Sequence, residues 1–311
     1  MGSQSERAGE IPAESDKLQI MKQADLITVV VCVLNGEKTL RNCIDSILNE
    51  KDTNFELVVV DNNSSDSTKE IIKEYESRDS RVRYVFKERK SLGAARNCGI
   101  ENAKGSIIAM TDCDCVVPKG WLKDITRPII DEGENIVMGF EYDLGNNFWS
   151  RLVQKANEEY AEGQTDGAYI NTFDPKNFSA KASILKKFGF SDEQVYMEDF
   201  EFYVQIKSKF KIRFIKVIKV GHHHRTTLMS IIKTNFTRAY WTGKLYKDKK
   251  DSFPSLKKER MMTSHNTWKI ILSPFIALSL FFKHPPSLAI YRIIVGTSWI
   301  AGTIYYKIKP I

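Results

Sequence analysis

The run ITVVVCVL (27–34) is apolar, β-branched and free of charge, and FELVVV (55–60) carries a single acid. A strand of this kind has no polar face to offer solvent, so both of its faces must be covered. That requirement selects a sheet with helices packed on each side. The segment between the two runs supplies one such helix: in GEKTLRNCIDSILNE, Leu40, Cys43, Ile44, Ile47 and Leu48 fall at helical spacing. VRYVF (82–86) reads as a third strand, a helix is expected from about Gly93 to Ala103, and SIIAM (106–110) follows as a fourth strand. Strand–helix–strand alternation implies an α/β fold with a parallel-type sheet. Ser67 and Glu70 have the spacing of a capping box for the helix after the second strand. Further along, NIVMGF (135–140) and IRFIKVIKV (212–220) read as strands and EDFEFYVQIKSK (198–209) as a helix.

In such sheets ligands bind beyond the carboxyl ends of the strands. Three polar loops sit there: NGE (35–37), DNNSSD (61–66) and TDCDC (111–115), and they are expected to converge on one cleft. In TDCDC an extended backbone would send Asp112 and Asp114 one way and Cys113 and Cys115 the other. The carboxylate face suits Mg²⁺ or Mn²⁺. The sulfur face would need two more soft ligands to hold zinc. The histidines of GHHHRT (221–226) leave that alternative open, although no CxxC pair accompanies the two cysteines.

Five cysteines, an odd number without framework spacing, exclude a disulfide scaffold and fit a reducing compartment. Residues 1–24 are polar, lack the apolar core of a secretory signal and are expected to be disordered. Charge is divided unevenly. From Glu201 onward there are 21 Lys and Arg against 4 Asp and Glu, a net of +17, whereas the first 200 residues carry a net of −10. Such asymmetry points to a polyanionic partner, either nucleic acid or an anionic membrane face, with a merely solvated basic face as the alternative. No nucleic-acid-binding module or basic–aromatic platform is present, so no nucleic-acid partner is expected.

The C-terminus favours the membrane. IILSPFIALSLFF (270–282) and IIVGTSWIAGTIYY (293–306) contain no charge, and KHPPS (283–287) punctuates the segment between them. Each is shorter than the roughly 20 residues of a bilayer span, but snorkelling by Lys269 and Arg292 would extend them. Trp268, Trp299, Tyr305 and Tyr306 are placed as interfacial anchors, and Lys257, Lys258, Arg260, Lys307 and Lys309 flank the pair. A hydrophobic helical hairpin at 267–311, with both ends cytoplasmic and a basic amphipathic linker at 226–266 before it, is the expected arrangement. A pair of buried or interfacial helices is the alternative.

Taken together, four ordered motifs resemble those of glycosyltransferase family 2, the inverting GT-A fold. They are ITVVVCVLNGEKTL, FELVVVDNNSSDST, GAARNCGIENAKGSIIAMTDCDC and FGFSDEQVYMEDFEFYVQIK, and they place a GT-A domain with a mixed central sheet at 25–225. The resemblance implies roles for named residues. Asp61 would accept a hydrogen bond from the nucleobase. Glu37 and the backbone around Val33 and Leu34 would line the nucleoside pocket. Arg96 would support that region. Asp112 would sit near the ribose and the metal, and Asp114 would coordinate Mg²⁺ or Mn²⁺. Asp199 would be the general base, with Glu198 orienting it or the acceptor. One of His222, His223 and His224 would approach the diphosphate or metal, His222 being the choice made here. The expected activity is metal-dependent inverting transfer from a nucleoside-diphosphate sugar, UDP-sugar favoured, to the hydroxyl or phosphate of a lipid-linked or glycan acceptor at the cytoplasmic face of a membrane; with a polyprenyl phosphate acceptor, Asp199 would matter less.

The chain departs from the family pattern in three places. DNNSSDS stands where Asp-Asp-Gly-Ser is common, Cys115 stands where another acid is frequent, and NFTRAYW (235–241) replaces Gln-x-x-Arg-Trp. The last departure favours single transfer over processive synthesis. A nucleotidyltransferase of similar fold, a catalytically silent scaffold and a basic nucleic-acid-binding protein are the competing readings.

Overall fold

The parallel strands predicted from the β-branched runs form one half of a nine-stranded mixed sheet. The computed structural model describes residues 26–88, 91–249, 280 and 283–309. β1 (Ile27–Val33), β2 (Phe55–Asp61), β3 (Val82–Phe86) and β4 (Ile107–Asp112) pair in parallel in the order β3-β2-β1-β4. The other half is β8 (Phe178–Lys181), β6 (Ile136–Asp143), β9 (Ile212–His222) and β5 (Cys115–Val116), with β7 (Tyr169–Ile170) pairing beside β9. β8 runs antiparallel to both β4 and β6 and joins the halves.

The strands are buried on both faces, as their composition requires. Val30, Cys32, Val58 and Val60 enter one core, while Ile27, Val29, Val31, Leu57 and Val59 enter the other. The second core is roofed by α1 (Leu40–Leu48), α2 (Thr68–Arg78) and α4 (Trp121–Asp131). The first lies under α3 (Leu92–Asn102), α6 (Ala182–Phe188) and α7 (Glu198–Ile206). α3 lies so close to the sheet that a Cβ on Gly99 would stand 2.3 Å from Val30 Cγ1.

Two local expectations are corrected. Ser67 makes no side-chain cap to α2. Asp66 takes over: its Oδ1 accepts from the Thr68 N–H and its Oδ2 from the Glu37 N–H, while Glu37 Oε2 accepts from the Ser67 N–H. The cap is thus exchanged for a brace between the first two polar loops. In TDCDC the strand ends at Asp112 and a turn at 113–114 intervenes before β5, so strict alternation fails. The Cys115 sulfur comes within 4.8 Å of ligand atoms of Asp114 and His222 rather than facing away from them.

Three further helices complete the described structure: α5 (Phe148–Glu162), α8 (Leu228–Lys249) and α9 (Pro286–Ile308), the last packing on both of the others. α9 contains the second apolar run. It has 23 residues and is long and apolar enough to cross a membrane. Gly302 lets it close on α8, where an added Cβ would meet Phe236 O at 2.2 Å. Trp299 Nε1 donates to Asn235 Oδ1, and Arg292 pairs with Glu159 of α5 at 2.5 Å. The first run, 270–282, lies outside the described residues apart from Leu280, as do residues 1–24 and 251–266.

One side chain holds the irregular half of the sheet together. The β6–β9 register slips between Met138 and Phe140, leaving carbonyls off the ladder. Buried Asn177 donates through Nδ2 to Phe140 O (2.7 Å) and Ile218 O (2.9 Å), and its Oδ1 accepts from Trp121 Nε1 (2.8 Å). Gly139 leaves room for it, since a Cβ there would lie 2.3 Å from Asn177 Nδ2. Asn177→Ala is expected to lower stability by about 3 kcal/mol, because it orphans buried donors and acceptors. Urea denaturation followed by circular dichroism measures this; a loss under about 1 kcal/mol would show that the three groups find other partners.

Candidate functional site

The register sets the site. Val33 pairs with Asp61 and Cys32 with Asp112, so the carboxyl ends of β2 and β4 flank that of β1. Their loops open into a cleft of about 720 Å³. Leu34, Asn62, Asp112, Asp114, Glu198 and Asp199 line it, so the 61–66 and 111–115 loops meet the Glu-Asp helix there, while the 35–37 loop braces the 61–66 loop from outside the cleft.

Behind one end of the cleft, and not lining it, Asp61 is buried, with Oδ1 accepting from the Ser64 N–H (2.9 Å) and Oδ2 from the Tyr84 hydroxyl (3.3 Å). Beside it Asn62 is 6% exposed, and its Oδ1 is buried without a partner. An orphan acceptor at a cleft wall is a place for a ligand's N–H or O–H. Val33 is buried in the core beneath, and Glu37 is spent on the loop brace; neither lines the cleft.

At the centre, Arg96 is 4% exposed and lies between two acids. Its Nη1 donates to Glu198 Oε1 at 2.5 Å and its Nη2 to Asp112 Oδ1 at 3.4 Å. Burial disfavours its charge, but Glu198 and Asp112 more than compensate and raise its pKa above the usual range. Burial raises Asp112, with Arg96 opposing. The next residue of the Ala-Arg-Asn triplet staples α3 to the loop before α7: Asn97 Nδ2 donates to Phe190 O and Asp192 Oδ1, both at 2.8 Å, and Oδ1 accepts from the Phe190 N–H. Met197, immediately before Glu198, adopts φ 70°, a left-handed conformation costly for a non-glycine residue. That strain turns the chain so that Glu198 meets Arg96 and Asp199 faces the cleft. Burial and the neighbouring Glu198 push Asp199 up to about 6.

Farther in, the three histidines separate in role. His222 Nε2 lies 3.5 Å from Asp114 Oδ2 and its Nδ1 2.8 Å from Glu141 Oε2. Burial alone would depress His222, but Asp114 and Glu141 raise it to about 9. His224 is buried, with Nε2 2.8 Å from Gln154 Oε1. His223 is exposed, and its backbone N–H donates to Asp114 O. Burial would raise Asp114, yet His222 holds it below the usual carboxylate range. Glu141 follows the same logic, with burial outweighed by Lys176 and His222.

The donor set tests the metal expectation. Asp114, Cys115 and His222 bring ligand atoms within 4.8 Å of one another, and so do Glu141, His222 and His224. The carboxylates of Asp114 and Glu141 suit Mg²⁺ or Mn²⁺, whereas the Cys115 sulfur and the imidazoles suit a softer ion, so the donor set fits a divalent metal without fixing which. Glu141, Asp174 and Lys176 also line the cavities here and carry no motif in the sequence. Glu141 stands near the end of a strand read only as far as Phe140, which is the signal that was available.

The model for the family described as "Glycosyl transferase family 2" matches residues 28–190. This chain belongs to glycosyltransferase family 2. Among relatives of this family 2 chain, glycosyltransferase GlyA of Streptococcus pneumoniae is 35% identical over 47% of this chain and 21% of its own length. The putative glycosyltransferase EpsH of Bacillus subtilis is 26% identical over 70% of this chain and 65% of its own. The chain thus spans less than two thirds of the length of either. Mannosyltransferase PcManGT from Pyrobaculum calidifontis, in complex with GDP-Man and Mn²⁺, superposes with a TM-score of 0.63 at 18% identity, covering 89% of this chain and 86% of that one. S. aureus TarS 1–349 in complex with UDP-GlcNAc gives 0.53 at 16% identity, covering 90% and 91%. These likenesses establish the fold as GT-A.

Arg96→Met leaves Glu198 and Asp112 without their shared cation and is expected to cost about 3–5 kcal/mol in denaturant unfolding. The double variant Arg96→Met/Glu198→Leu should recover most of that loss. If the single variant were as stable as the parent, the bridge would not be structural.

Proposed function

We propose that this chain is a metal-dependent inverting glycosyltransferase that moves a sugar from a nucleoside-diphosphate sugar, UDP-sugar favoured, to an acceptor hydroxyl on a lipid-linked molecule or glycan. The observation that carries this reading is the meeting, in one cleft, of Asp112 and Asp114 from the β4 end with Asp199 from α7. The nucleoside would occupy the Leu34–Asn62 end, its base read by Asp61 and the orphan Asn62 Oδ1. Asp114 and His222, with Asp112 nearby, would hold Mg²⁺ or Mn²⁺. When bound, the ion supplies positive charge to the diphosphate.

The chain's own residues supply the rest. Asp199 takes the proton from the acceptor O–H as that oxygen attacks the anomeric carbon, and the nucleoside diphosphate departs from the opposite face. A carboxyl poised at about 6 is ionised at neutral pH yet basic enough for this task. Glu198, held by Arg96, orients the turn that carries Asp199. The division into a GT-A domain at 25–225, a basic linker at 226–266 and membrane-associated helices at 267–311 belongs to the same proposal. So does the cytoplasmic face, supported by the apolar α9 and the +17 charge of the C-terminal third.

Calorimetric titration of nucleotide sugars in mild detergent, with Mn²⁺ or Mg²⁺ and then with EDTA, tests the donor. One donor should bind only with metal, and Asp114→Ala should abolish that binding. No metal-dependent donor binding, or release of pyrophosphate in place of a nucleoside diphosphate, would overturn the reading. Asp199→Asn should lower kcat about 10²- to 10⁴-fold with donor affinity unchanged. In the parent enzyme the base must be ionised, so kcat/KM should fall as pH drops through about 6 and level off above it.

A further inference from the structure

Two arginines that line the cleft have no task in the scheme above. Arg225 follows β9 and Arg238 lies on α8. Both line the main cleft of about 720 Å³ and also an adjoining cavity of about 260 Å³, so they stand where the two meet. The other cations of the passage are engaged: Arg96 with Glu198 and Asp112, Lys176 with Glu141 and Asp174, His222 with Asp114 and Glu141. Among the described residues neither Arg225 nor Arg238 has an ion pair with a carboxylate. Arg225 donates through Nε to Thr234 Oγ1 at 2.7 Å. The two arginines line the same two cavities, and burial, then the charge of Arg238, lowers the pKa of Arg225.

Two neighbouring cations without an acid cost free energy until an anion joins them. Guanidinium forks are matched in geometry to phosphate oxygens. The first turn of α8, with Thr227 and Ser230 also lining the cleft, adds the positive end of a helix dipole on the same side. Arg238 also acts on Asp199, partly offsetting the upward push of burial and Glu198. Asp199 lines the same cleft as the pair, so an anion held there shares the cleft with the acceptor's base. The adjoining cavity continues past the pair between Val153, Tyr160, Ile231 and Tyr291, and the nucleoside end at Leu34 and Asn62 does not reach that space.

We propose that Arg225 and Arg238 bind a phosphate carried by the acceptor, so that the acceptor is a phosphate-bearing glycan or lipid whose hydroxyl is presented to Asp199 by that anchor. This rests on the transferase reading and names its acceptor class. The phosphate is an anchor only: its bonds are untouched, and the proton and sugar move as described for the hydroxyl.

The test uses the full chain in detergent, saturated with UDP and Mg²⁺ so that the donor site is filled, and titrates inorganic phosphate, read by phosphorus NMR line broadening. Arg225→Gln/Arg238→Gln should weaken phosphate binding about tenfold or more, the scale of losing charge-assisted bonds, with UDP affinity unchanged. Arg225→Lys/Arg238→Lys, which keeps the charge and reports on folding, should retain most of the binding. Soluble glycerol phosphate and phosphatidylcholine vesicles containing phosphatidylglycerol then distinguish the source. Pair-dependent binding of the first assigns a glycan phosphate, and pair-dependent capture of the second a lipid headgroup. Phosphate binding unmoved by the Gln variant overturns the proposal. A parallel fall in UDP affinity also overturns it, since the arginines would then serve the leaving diphosphate. If UDP with Mg²⁺ does not bind the parent at all, the transferase reading itself fails; if it binds and phosphate does not respond, only the acceptor subsite fails.

Discussion

The cleft depends on one buried cation. Arg96 rises from α3 and meets Asp112, at the end of β4, and Glu198, at the start of α7. Those two acids come from segments 86 residues apart in the chain, and nothing in either segment alone would hold them face to face. Desolvating a guanidinium is expensive, and here two carboxylates offset that cost while being held in place by it. Asn97 extends the clamp by tying α3 to the 190–192 loop. The position of Asp199, one residue beyond Glu198, follows from this clamp and from the left-handed turn at Met197.

The chain's charge asymmetry acquires a local meaning in the structure. The N-terminal 200 residues supply the acids of the cleft, including Asp112, Asp114 and Asp199, and the C-terminal third supplies His222, Arg225 and Arg238. Seen along the sequence, the net of +17 suggested an external polyanion or a solvated basic face. Folded, part of that charge forms one wall of a site whose opposite wall is acidic. The wall positions are set by β9 and α8, and these are in turn held by the α9 helix packed on α8.

How much of this was legible depended on burial. Strands β1, β2 and β4 were readable because side chains on both faces enter cores, which writes an unbroken apolar run into the sequence. Strands of two to four residues such as β5, β7 and β8 left no comparable trace, whereas α4, with Trp121, Leu122, Ile125 and Ile129 at helical spacing, carried a readable signal that was passed over. The acids of the site were legible as strand-end residues, and the resemblance added their roles. Glu141, Lys176 and the arginine pair were not, because each draws its meaning from partners distant in sequence. The alternation assumed for TDCDC failed for a related reason: a turn at 113–114, which side-chain chemistry alone does not announce, brings Cys115 round toward Asp114.

Asn177, Gly139 and Trp121 carry a consequence for the history of the chain. The amide of one fills the space left by the second and satisfies both the indole of the third and two carbonyls exposed by the register slip. Changing any one alone strands polar groups in the interior or forces a clash, so single steps away from the trio are penalised even where a different trio would serve as well. The three positions are therefore expected to drift as an epistatic unit, replaced together across divergent lineages or not at all.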